Sequence, residues 1–174
     1  MFQYMNLIKV LFLGLCLAII VSSCRIKYGF TGGTLSDDVK TFSVQYFPNR
    51  APLVNPNLSD RFVEELKEKF RSQTSLNEVV DTEGHLNFDG EITGYRTQAL
   101  DIKAGEIAAT NRLTVTIKVR FTNEIESEND FDKSFSAFGD YDSAKQLTEV
   151  EDALLEDILE QIIDDIYNES VVNW

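Results

Sequence analysis

Residues 112–121, Arg-Leu-Thr-Val-Thr-Ile-Lys-Val-Arg-Phe, alternate without a break. Leu113, Val115, Ile117, Val119 and Phe121 fall on one side of an extended chain, and Thr114, Thr116, Lys118 and Arg120 on the other. A strict period of two over ten residues, rich in β-branched side chains, dictates a strand with one buried and one wet face. Such a strand needs neighbours to pair its backbone and a layer to cover its apolar side. That requirement organises the rest of the chain.

The neighbours are legible by the same pattern. Residues 39–49 place Phe42, Val44 and Tyr46 on one face, ending at Pro48 and Asn49. Residues 85–95 alternate through Leu86, Phe88, Gly90, Ile92 and Gly94, and the two inward glycines suggest a bend or the close approach of a helix. Residues 130–141 alternate through Phe131, Lys133, Phe135 and Ala137. The covering layer comes from two helical patterns. Phe62, Leu66 and Phe70, with Val63 beside them, form one stripe after a start that Asn57 or Ser59 can cap. Val150, Leu154, Ile158, Ile162 and Ile166, widened by Leu155, Leu159 and Ile163, form another, with Thr148 and Glu151 as a capping box. The expected fold is α+β, a two-layer sandwich. A four-stranded sheet carries two helices on one face, in the order β-α-β-β-β-α, within one domain over residues 39–174. Residues 96–111 read as a long connection, of the kind that is often functional.

The chain opens differently. Val10 to Val21 is an unbroken apolar run, shorter than the roughly 20 residues that span a bilayer and suited to a signal-peptide core. Ser22 and Ser23 are small, and Cys24 follows. The segment Val-Ser-Ser-Cys resembles the bacterial lipobox, which implies cleavage before Cys24 and lipid on its sulfur and new amino group. An uncleaved anchor and an ordinary secretory signal with an incidental Cys are the alternatives. Residues 1–23 are thus read as a lipoprotein signal peptide and 24–38 as a lipidated flexible leader. Cys16 leaves with the signal, so Cys24 is the one cysteine of the processed chain. Lipidation consumes a thiol that could form no internal disulfide. No acidic run follows Cys24, so the expected location is the periplasmic face of the outer membrane.

The inventory excludes several kinds of chemistry. The formal net charge is −13, and loss of Lys9 with the signal takes it to −14. Nucleic-acid binding needs clustered Lys and Arg and is not expected. His85 is the one histidine, in what reads as a solvated turn, so no zinc set can be assembled. No serine sits in a nucleophile elbow. Neither catalytic residues nor a cofactor nor a metal is expected. Two features are left. The last helical segment is densely acidic with no Lys or Arg after Lys145. A small basic group, Arg96, Lys103 and Arg112, brackets the long connection and is a candidate contact for an anionic ligand.

The lipobox, residues 39–49, residues 53–70, Phe-Asp-Gly-Glu-Ile-Thr-Gly-Tyr at 88–95, Asn111 to Phe121 and the ending Ile-Tyr-Asn-Glu-Ser-Val-Val-Asn-Trp, taken in order, resemble the LptE family of lipopolysaccharide-assembly lipoproteins. The resemblance runs from Cys24 to Trp174. It implies a non-enzymatic role beside or inside the β-barrel LptD, with lipopolysaccharide as the cargo. The alternative is a free-standing periplasmic binding module for a small ligand, using the sheet and the long connection.

Replacing the proposed lipid acceptor, Cys24→Ala, is expected to leave unprocessed precursor and to remove the protein from outer-membrane fractions. Unchanged cofractionation would contradict the anchor.

Overall fold

The computed structural model describes residues 35–53, 55–100 and 110–172. Cys24 and Lys103 therefore lie outside the described residues. A mixed sheet of five strands, β1 (Thr41–Val44), β2 (Asn77–Glu78), β3 (Leu86–Leu100), β4 (Thr110–Asn123) and β5 (Phe131–Asp142), runs in the order β2-β1-β3-β4-β5. Two helices, α1 (Leu58–Gln73) and α2 (Leu147–Tyr167), contribute their buried side chains to the same core as the sheet.

The sheet corrects the expected four strands to five, and the order to β-α-β-β-β-β-α. β2 has only two residues, too short to leave any periodicity. It forms because the chain returning from α1 runs parallel beside β1, pairing Thr41 with Asn77 and Phe42 with Glu78. Side chains pin this return: Arg71 and Lys67 of α1 reach the Glu78 carboxylate, at 2.6 and 3.4 Å. From β2 the chain must pass β1 to enter β3, which is also parallel to β1. It crosses on the face away from the helices. There the Gly84 amide donates to Ser43 Oγ (2.9 Å), and a Cβ on Gly84 would sit 2.7 Å from the Phe42 backbone. Asn87 completes the covered polar patch by accepting from Ser43 Oγ (2.7 Å).

β3, β4 and β5 form an antiparallel meander. The five inward residues of β4 are fully buried, as its alternation requires. At about 1.5–3 kcal/mol each, they make β4 the apolar spine. Rings continue it sideways: Phe42, Phe70, Phe88, Phe121 and Phe131 form a chain of contacts with centroids 4.8–5.4 Å apart.

Several local expectations are corrected. β1 stops at Val44, so Tyr46 is exposed and Phe47 turns into the core instead. A bulge between Ile92 and Gly94 shifts the parity of β3, so Tyr95 points inward. The β3 glycines accommodate the neighbouring strand and Phe47, not a helix. Gly90 adopts φ +157°, and a Cβ there would lie 2.0 Å from the Lys118 carbonyl and 2.8 Å from the Phe47 ring. β3 and β4 extend further than the sequence suggests, to Leu100 and from Thr110, so Arg96 stands on a strand as Arg112 does. Neither Asn57 nor Ser59 caps α1 through its side chain: Asn57 makes no cap bond, and Ser59 is buried in the helix. The α2 capping box is Gln146 with Glu149, two residues earlier than expected.

Gly90→Ala is expected to cost about 3 kcal/mol, because a strained φ and a backbone clash add. Urea unfolding of the domain measures it; a loss below about 0.5 kcal/mol would contradict the close approach at Lys118.

Candidate functional site

The sheet face away from the helices is the candidate surface. The outward side chains of β4 and β5 pair across the strands. Arg112 Nε and Nη2 donate to the two Asp140 oxygens (2.7 and 2.8 Å), opposite one another in register. The same guanidinium lies 3.6 Å from the Phe138 ring centroid. Lys118 pairs with Asp132 (3.1 Å) and Arg120 with Asp89 (3.5 Å). Thr116 and Ser136 share a hydrogen bond. The hydrogen bonds and charge of Arg112 hold the Asp140 carboxyl below its ordinary range, while Asp140 raises the guanidinium. Arg112 is therefore a fixed, stacked fork with its charge offset.

Arg96 stands on the same face of β3, opposite Thr114, and is diagonal to Arg112. Among the ion pairs of the described residues none involves Arg96. Two of the three basic residues read from the sequence thus share one end of one face; the third, Lys103, falls in the undescribed connection between those strands. His85 is not a free turn residue: its Nδ1 accepts from the Lys40 amide (3.0 Å), tying the start of β3 to the approach to β1. No group of three or more His, Cys, Asp or Glu that could hold a metal occurs among the described residues, and none of their helices is long and apolar enough to cross a membrane.

At the helix side of the same end lies a polar knot that the sequence does not announce. The Tyr95 hydroxyl donates to Glu151 Oε1, and Asn55 Nδ2 donates to the same oxygen (3.0 Å). The three residues come from β3, the entry to α1 and the first turns of α2, up to 96 positions apart. The bulge that turns Tyr95 inward creates the contact, and no local pattern encodes it. Burial, then the hydrogen bond to Glu151, raises the Tyr95 hydroxyl well above its ordinary 10.0.

Two hollows of the described surface are small. One of about 220 Å³ is lined by Asp89, Gly90, Glu91, Lys118, Arg120 and Asp132. Another of about 230 Å³ lies between the helices beside Lys69 and Asp164. Both fall below the roughly 300–1,000 Å³ usual for small-molecule sites.

The model of the family LptE, described as lipopolysaccharide-assembly, matches residues 39–170. No curated protein matches the chain. Solved structures with a similar course include a minor lipoprotein from Acinetobacter baumannii, at 11% identity over 75% of this chain and 91% of that one, with a TM-score of 0.49. Lipoprotein GNA1162 from Neisseria meningitidis shares 12% identity over 74% and 99%, at 0.42. The rare lipoprotein B from Shewanella oneidensis shares 8% over 73% and 89%, at 0.45. These likenesses concern the chain's course alone; the assignment rests on the family match.

The Tyr95 knot has a pH signature. As pH rises past 10.0, an unfolded Tyr95 loses its proton while the folded one keeps it, so the native state binds more protons and stability falls with rising pH. Tyr95→Phe is expected to lower stability near neutrality by about 2 kcal/mol and to flatten the alkaline slope by up to about 1.4 kcal/mol per pH unit. Denaturant titrations from pH 8 to 11 test this; an unchanged slope would contradict a retained hydroxyl proton.

Proposed function

The chain belongs to the LptE family, and from that premise we propose that it is a non-enzymatic outer-membrane lipoprotein that partners an LptD-like β-barrel in placing lipopolysaccharide in the outer leaflet. The observation that carries this reading is the family match over residues 39–170, a segment containing all five strands and both helices. Cys24 lies just upstream of it and supplies the tether. Two or more acyl chains at that residue, each adding about 0.8 kcal/mol per buried CH₂, hold the domain at the periplasmic face.

What the domain offers a barrel is a preformed body with a polar exterior. Arg112–Asp140, Lys118–Asp132 and Arg120–Asp89 pair on the sheet face, and α2 is acidic, a combination suited to a basic lumen. Arg96, Lys103 and Arg112 are the proposed contacts to lipopolysaccharide phosphates. Arg96 and Arg112 share one end of the sheet face, and Arg112 presents a guanidinium already held in place.

The full lipidated protein, tagged at its C-terminus and extracted from its native host in mild detergent, is expected to bring down an outer-membrane β-barrel; recovery without one would contradict the partnership. Reversal of Arg96, Lys103 and Arg112 to Glu together is expected to weaken binding to purified lipopolysaccharide by about tenfold or more. Unchanged affinity would remove these residues from the site.

A further inference from the structure

The two edges of the sheet are unlike. β2 is too short to template anything, whereas β5 is a twelve-residue strand paired, among the described residues, only with β4. Its register with β4 runs unbroken from Phe121–Phe131 to Thr110–Asp142, so no bulge turns the rim away. It contains no proline. Among the described residues, no backbone hydrogen bond from Asp132 to Tyr141 goes to a loop or to another element besides β4. Long edges of this kind are normally blunted. Here the inward-pointing charge is Lys133, on the helix side and tied to Glu169, and the outer face carries charge at Asp132, Asp140 and Asp142.

We propose that the free edge of β5 accepts an extended strand from a partner protein, whose side chains alternate between apolar and basic. Two independent features define that occupant. On the helix side, Phe131 and Phe135 are only half-buried, although their partners across the strand pair, Phe121 and Ile117, are fully buried. The core wall is open laterally, and apolar side chains on an added strand would close it. On the outer face the charges form a ladder. Basic Arg120 and Arg112 on β4 stand opposite Asp132 and Asp140 on β5, and Asp142 extends the acidic row. Cross-strand pairing favours opposite charges, so the next rung is basic. A second copy of this chain is a poor fit, because the outward charges of its β5 are all aspartates and offer no basic rung.

This mode of binding draws its affinity from main-chain pairing and its specificity from alternate side chains. It needs no barrel, so it stands or falls separately from the partnership proposed above. The probe is a nine-residue peptide alternating Lys and Val, added to the full processed chain, with amide hydrogen exchange followed by NMR. Slowed exchange confined to Asp132–Asp142 is expected, with the Glu/Val counterpart binding about tenfold more weakly. The Lys/Val peptide N-methylated on the residues that face β5 is expected to lose binding. Ser134→Lys, an exposed outward position, is expected to weaken the Lys/Val peptide and to strengthen the Glu/Val one. Protection elsewhere or nowhere, equal affinity for the two peptides, or binding that survives N-methylation would overturn the proposal. So would concentration-dependent protection of β5 in the chain alone, which would make a second copy the occupant.

Discussion

The alternation of β4 is the constraint on which the other elements depend. Five fully buried apolar side chains on one face and polar ones on the other leave a single way to assemble the domain. The inward row requires a helical cover, which α1 and α2 supply with Phe62, Leu66, Phe70, Ile158, Ile162 and Ile166, all fully buried. The backbone requires strands on both sides, which β3 and β5 supply in antiparallel register. A one-residue slip would send all five apolar groups to water, so the register is set by the core itself.

The same division of faces sorts the charge. α2 carries eight acidic residues and no basic one, and of these Asp164 finds a cation, in Lys69 of α1. Acids near a helix C-terminus oppose the macrodipole, a modest cost that the buried stripe of α2 outweighs. The sheet face, by contrast, is organised into Arg112–Asp140, Lys118–Asp132 and Arg120–Asp89. Exposed pairs of this kind add little to stability. Their consequence is electrostatic: on this side of an acidic protein the charges largely offset one another.

Elements longer than about ten residues were legible in the sequence because their periodicity is strong; β4 and the α1 stripe are read residue by residue, while the buried stripe of α2 turns toward Leu155, Leu159 and Ile163 and leaves Val150 and Leu154 half-buried. What escaped was set by contacts between distant parts. β2 exists because Arg71 and Lys67 reach Glu78 beside β1, and two residues hold no period. The bulge near Thr93 is imposed by pairing with β4, and it moves Tyr95 rather than Gly94 into the core. Phe47, not Tyr46, is buried because β1 ends early and the chain turns over Gly90. Of the basic group, the sequence located Arg96 and Arg112 at the mouth of a connection, and the long strands place both on one sheet face. Their neighbour Asp140, which offsets Arg112, lies 28 residues away and belongs to a different strand.

A two-layer domain of the LptE family stands behind the proposed lipid tether and the proposed role in lipopolysaccharide assembly. The central claim concerns what the cell loses without the protein. The direct measurement is controlled depletion in the native host, with lipopolysaccharide at the cell surface quantified alongside total lipopolysaccharide. The account predicts that the surface fraction falls while total synthesis continues, and that plasmid-borne protein restores it. A surface fraction that stays constant through complete depletion would contradict it.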